Sequence, residues 1–106
     1  LNALASFQPD LLILDIMLSD GSVIDSITEM KNISPATKIL VLSANADLHI
    51  VKKAFNRGVN GYITKTAGFD EIMKAITIIL DGKSYMSYEV QQRITNQFTD
   101  TGSSIE

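Results

Sequence analysis

The chain has 106 residues, 45% of them apolar, and carries a formal net charge of −3. These values predict one small globular domain and argue against nucleic-acid binding by this piece itself, because neutralising phosphates requires a basic patch. It has no cysteine and a single histidine, which excludes disulfides and thiolate metal sites and argues against a Ser/His/Asp triad. It shows no apolar run of bilayer length and no signal peptide, so we expect a soluble, cytoplasmic protein without membrane contact.

The first half of the chain predicts a strand, a helix and a second strand. Residues 11–14 read LLIL, apolar without alternation, which is typical of a strand buried on both faces. Residues 22–33 then place their apolar residues on one stripe at helical spacing. The next apolar run, KILVLS at 38–43, follows the turn-forming Pro35 and predicts the second strand.

The second half repeats this order. Residues 47–57 predict a helix with Asp47 as its N-cap, and GYIT at 61–64 predicts a third buried strand. Helical spacing returns over 69–81, and residues 87–98 suggest a shorter helix. Alternating strands and helices of this kind predict an α/β fold with a parallel sheet of three strands and crossover helices.

Polar side chains stand where each predicted strand ends: Asp15, Ser43 and Lys65. Ligands bind open parallel sheets in the crevice beyond the carboxyl ends of the strands, so all three side chains could reach one phosphate-sized anion. A carboxylate can attack phosphorus, and an ammonium and a hydroxyl can stabilise the charge that develops. Taken singly, each residue has a plain structural interpretation as a loop cap, a turn residue or a solvated charge. The three together favour a site.

Four segments resemble the response-regulator receiver domain, the phosphoacceptor module of two-component signalling. PDLLILDIML is similar to the family's phosphorylation-site strand, ATKILVLSA to the following strand, and GVNGYITK to the last strand. GKSYMSYEV resembles the NarL/FixJ (LuxR-type) subfamily, in which a linker leads to a helix-turn-helix domain. The resemblance implies a flavodoxin-like (CheY-like) doubly wound parallel sheet.

The resemblance also implies that a histidine kinase phosphorylates Asp15 while Mg²⁺ is bound by Asp15 and the backbone carbonyl of Met17. Ser43 is then the switch hydroxyl and Tyr62 the switch aromatic, with Lys65 completing the phosphoryl site. 

Met17 and Asn45 border the path of a hydrolytic water in the family, and are expected to tune the lifetime of the phosphate. The resulting change of shape would control transcription through a DNA-binding domain. Catalysis is limited to the chain's own phosphotransfer and dephosphorylation, so no conventional enzyme is expected.

The start of the chain departs from the family pattern. Only 14 residues precede Asp15, too few for the family's first strand-helix-strand unit and its acidic pair. The sheet and the Mg²⁺ site are therefore expected to be incomplete. Residues 11–15 would then form an edge strand that self-associates, or the chain has been cut from a longer protein. We assign 1–86 to a partial receiver domain and 87–106 to a C-terminal helix and linker toward an absent DNA-binding domain.

Two alternatives stay open. The first is a non-phosphorylated interaction module that works by dimerisation because its metal site is broken. The second is a small α/β phosphatase with an aspartate nucleophile. The phosphatase is less favoured, since those enzymes usually carry a second acid where Met17 stands here.

Overall fold

The computed structural model describes the backbone of residues 10–16, 22–44 and 46–105, and the side chains of these residues except 22 and 97–105. Its elements follow one another as β1 (Leu11–Ile16), α1 (Ser22–Asp25), α2 (Ile27–Ile33), β2 (Lys38–Ser43), α3 (Leu48–Arg57), β3 (Gly61–Thr64), α4 (Phe69–Leu80), β4 (Tyr85–Met86) and α5 (Tyr88–Ile105).

The strands form one parallel sheet in the order β1-β2-β3-β4. With helices on both faces, this is the predicted flavodoxin-like doubly wound sheet, and that prediction is confirmed. The expected number of strands was wrong, because β4 adds a fourth. Two residues are too short for any periodicity, and β4 exists because the Tyr85 and Ser87 amides donate to the carbonyl oxygens of Asn60 and Tyr62, both at 3.0 Å.

The two faces of the sheet carry separate apolar clusters. Helices α1, α2, α3 and α5 cover one face, where Ile24, Val51 and Val90 pack with Tyr62. Helix α4 covers the other face through Ala75 and Ile79. The middle strands β2 and β3 are buried from both sides, which explains why their sequences are apolar without alternation.

The helix ends follow local chemistry. The Asp47 side chain accepts a hydrogen bond from the amide of His49 at the start of α3, and Gly58 ends that helix with φ 110°. The segment predicted as one helix over 22–33 is interrupted at Ser26, whose amide donates to the carbonyl oxygen of Val23, three residues back. Helix α5 continues to Ile105, beyond the predicted end at 98.

Strand β1 is an edge strand within the part of the chain that the structure describes. It pairs with β2 on one side, and Ile13 keeps 44% of its surface exposed. Its six residues are mostly half-buried or exposed, unlike those of β2. Among the described residues, the expected edge is therefore present. Among the described helices, none is both long and apolar enough to cross a membrane.

Candidate functional site

The acid and the amine predicted to converge lie in direct contact. Lys65 Nζ is 2.6 Å from Asp15 Oδ1. The sheet brings them together, because Asp15 lies opposite Leu42 in β2, and the next row joins Ser43 to Thr64, directly before Lys65. Both side chains keep solvent access, with 54% of Asp15 and 33% of Lys65 exposed. An ion pair this accessible adds little to stability. The exposed carboxylate lies at the carboxyl rim of the sheet, where ligands bind such folds.

The predicted hydroxyl and aromatic form a second, buried pair. Ser43 and Tyr62 are 1% and 0% exposed, and a side-chain hydrogen bond joins them. Burial raises the pKa of the Tyr62 phenol, the hydrogen bond to Ser43 opposes this rise, and the Asp47 carboxylate adds to it. Tyr62 therefore lies turned inward and stays protonated well above neutral pH.

A backbone hydrogen bond at the carboxyl rim of the sheet links the two pairs. The carbonyl oxygen of Ser43 accepts a hydrogen bond of 2.7 Å from the amide of Lys65. By strand alternation, the Ser43 side chain lies on the sheet face of Val41 and Tyr62. Asp15 lies beside Leu42 on the opposite face. The structure thus joins acid to amine and hydroxyl to aromatic.

The remaining predicted site residues, Met17 and Asn45, lie outside the described residues. This also applies to the Met17 carbonyl expected to bind Mg²⁺. The described part of the chain brings no three His, Asp or Glu side chains together in a group that could hold a metal ion. Magnesium demands a near-octahedral set of oxygen ligands, so Asp15 by itself does not make such a site.

Residues that follow β3, and that the sequence did not predict as part of the site, bond to the strand and the loop that carry Lys65. The Ser87 hydroxyl accepts a hydrogen bond from the amide of Thr64, one residue before Lys65, at 3.3 Å. The hydroxyls of Thr64 and Thr66 are 2.8 Å apart, and Thr66 donates to Glu89 of α5 at 3.2 Å. The loop that carries Lys65 is therefore tied to the C-terminal helix.

A carboxylate on α4 makes a further contact with the C-terminal segment. Glu71 accepts hydrogen bonds from the Tyr85 hydroxyl at 2.7 Å and from the Tyr88 amide at 3.2 Å. Desolvation and this carboxylate raise the pKa of Tyr85 to about 12. The phenol therefore donates to Glu71 throughout the physiological pH range.

A doubly wound parallel sheet with an accessible acid paired to a lysine at its carboxyl rim defines a receiver-type α/β domain. The sequence model for the response regulator receiver domain matches residues 1–77, and the chain belongs to this family. It is thus a receiver domain of the response-regulator class, which acts in two-component signalling.

Curated relatives of the chain include proteins named as response regulators. Fimbriae Z protein of Salmonella typhimurium is 31% identical over 99 residues, which cover 93% of this chain and 47% of the relative. Response regulator protein VraR of Staphylococcus aureus is 29% identical over 90 residues, or 85% of this chain and 43% of VraR. The chain thus spans about half the length of the curated relatives it matches.

Solved structures agree with the fold. A LuxR-family two-component response regulator from Aurantimonas sp. superposes with a TM-score of 0.82 at 26% identity, over 92% of this chain and 70% of that one. The isolated receiver domain of RcsB from Salmonella enterica, with the phosphomimetic BeF3−, gives 0.72 at 22% identity, over 86% and 68% of the two chains. The second likeness supports the fold alone.

Proposed function

We propose that Asp15 accepts a phosphoryl group from the phosphohistidine of a histidine kinase. The observation that carries this proposal is the 2.6 Å contact between Lys65 Nζ and an accessible Asp15 carboxylate. An Asp15 oxygen attacks phosphorus, the bond from phosphorus to the donor nitrogen breaks, and the histidine leaves with the electron pair and gains a proton. The product is an acyl phosphate on Asp15.

Lys65 and Ser43 have separate roles in this step. The Lys65 ammonium stabilises the negative charge on the transferring oxygens, since it already lies against Asp15. The Ser43 hydroxyl, one residue beyond the neighbour of Asp15 in β2, lies buried against Tyr62 on the other face of the sheet and must turn toward the rim to donate to the phosphoryl group. If it turns toward that group, it alters its hydrogen bond with Tyr62, which makes Tyr62 the switch aromatic.

We also propose that the phosphorylated domain controls transcription through a DNA-binding domain outside this chain. The net charge of −3 supports this proposal, because an overall negative charge does not favour binding to DNA phosphates. Its own chemistry is phosphotransfer and dephosphorylation, without turnover of a separate substrate. The division into 1–86 and 87–106 stays a prediction, as do the roles of Met17 and Asn45.

The test is uptake of a phosphoryl group from a small phosphodonor with Mg²⁺. Intact-mass spectrometry should show one added phosphoryl group on the wild-type chain and none on Asp15→Asn, because the amide is not a nucleophile at phosphorus. Asp10→Asn is the matched control, since Asp10 is an exposed aspartate just before the same strand. An adduct that persists in Asp15→Asn, or no adduct in the wild type, would contradict the proposal.

A second candidate function is a non-phosphorylated dimerisation module, favoured by the edge position of β1 among the described strands. An edge strand presents unpaired amides and carbonyls that a second copy of the chain can extend. The half-buried Leu11 and Leu12 and the 44% exposed Ile13 make this edge apolar. Self-association and phosphorylation are compatible, but without a phosphoryl adduct dimerisation would be the main function.

Ile13→Lys should abolish this association, because a charge on an edge strand opposes pairing with another chain. Sedimentation velocity over a range of concentrations should show a dimer for the wild type and a monomer for the variant. Leu80→Lys controls for loss of an exposed apolar residue elsewhere, since Leu80 is 51% exposed at the end of α4. If Ile13→Lys and Leu80→Lys had the same sedimentation coefficient, the dimer interface would lie away from β1.

A further inference from the structure

The outer side of β3 is closed by residues 85–91, which we call the latch segment. The Ser87 amide donates to the carbonyl oxygen of Tyr62 at 3.0 Å, and the Ser87 hydroxyl accepts from the Thr64 amide at 3.3 Å. Ser87 itself is 1% exposed. One residue thus completes the backbone hydrogen bonding on both sides of Ile63, in the strand that positions Tyr62 and leads into Lys65.

A second anchor holds the latch segment to α4. The Glu71 carboxylate accepts from the Tyr85 hydroxyl at 2.7 Å and from the Tyr88 amide at 3.2 Å, so it satisfies an amide in the first turn of α5. The side-chain amide of Gln91 donates to the carbonyl oxygen of Met86 at 2.5 Å. These bonds fix the point at which β4 turns into α5.

The first turns of α5 bury the aromatic ring of Tyr62. Val90 is 0% exposed in the same apolar cluster as Tyr62, and Met86 and Ile94 pack against that cluster from the latch segment and from α5. Protein interiors are close-packed, so displacement of this ring would disturb the packing of α5.

We propose that the latch segment couples the position of Tyr62 to the docking of α5. Outward movement of the ring requires α5 to lift, and docking of α5 favours the inward ring that bonds to Ser43. Such coupling is reciprocal, so the C-terminal helix also biases the phosphoryl site through Ser43. Ser87 and Glu71 are positioning residues in this arrangement. The use of the coupling as a signal rests on the proposed function, whereas its existence does not.

The first measurement is amide hydrogen exchange of residues 88–96 without any phosphodonor. Ser87→Ala should speed exchange in this stretch about fivefold, since one buried hydrogen bond is lost. Ser84→Ala, a serine-to-alanine change at an exposed position three residues earlier, should exchange as the wild type does. Equal exchange in the two variants would overturn the latch.

The second measurement tests the coupling by removing a hydroxyl that bonds to α4 and not to β3. Tyr85→Phe removes the donor to Glu71, and Tyr88→Phe is its control because the Tyr88 ring is 68% exposed. With labelled tyrosine, the NMR ring signals of Tyr62 should shift or broaden in Tyr85→Phe and stay unchanged in Tyr88→Phe. Unchanged Tyr62 signals in both variants would overturn the coupling. Neither measurement depends on phosphorylation, so their failure is distinct from failure of the Asp15 experiment.

Discussion

Replacing Gly61 by alanine is expected to lower the free energy of unfolding by about 2 kcal/mol. A Cβ on Gly61 would lie 2.5 Å from Ile79 Cδ1 and 2.8 Å from Leu40 Cδ1. Both of these side chains are completely buried, so neither tip has free space to move into. The same Cβ would stand 3.3 Å from the carbonyl oxygen of Tyr85, so β4 would be strained as well.

Urea denaturation measures this effect as a lower midpoint with an unchanged slope. Gly68→Ala is the matched control, because a Cβ there meets nothing within 4 Å and φ is −78°. Its midpoint should stay close to that of the wild type. An unchanged midpoint in Gly61→Ala would mean that α4 stands further from the sheet than the structure has it.

Lys65→Met is expected to slow phosphoryl uptake by Asp15 roughly 100-fold, as loss of one electrostatic contact to a transition state does. Methionine keeps the length of the side chain and removes the ammonium that contacts Asp15 at 2.6 Å. Unfolding should change by less than about 1 kcal/mol, because the ion pair is solvent-accessible. Lys65→Met would therefore lower the rate of phosphoryl transfer to Asp15 without unfolding the domain.

A time course of intact mass with a small phosphodonor measures this rate. Lys83→Met is the control, since Lys83 is 73% exposed and its contact to Asp81 is long, at 3.9 Å. Circular dichroism should show that both variants remain folded. Equal rates for Lys65→Met and the wild type would remove Lys65 from the proposed mechanism, whatever the result for Asp15→Asn.

The part of the site that the sequence predicts depends on strand ends. Asp15 and Lys65 each follow a recognisable buried strand, and parallel strands end on one rim, so their contact follows from the order of elements. The caps at Asp47 and Gly58 are likewise local signals, because each lies directly beside the helix whose end it forms.

The latch segment was not predictable in the same way. Glu71 looks like an acid that complements the start of its own helix, yet it bonds to Tyr85 and to the Tyr88 amide, 14 and 17 residues away. Ser87 looks like the start of a helix, yet its hydroxyl accepts from Thr64, 23 residues back. Local spacing carries no information on such partners, because they depend on how α4 and α5 pack on the finished sheet.

The order of the strands in the sheet is also their order in the chain, and this bears on how the domain forms. Each pairing joins residues between 21 and 27 positions apart, from Leu40 with Gly61 to Leu11 with Lys38. Because these connections are short and similar in length, each strand can pair with the one before it as the chain is synthesised from its N-terminus. Until residues 85–87 have emerged from the ribosome, the sheet ends at β3, whose outer backbone groups then lack the partners that β4 and Ser87 provide.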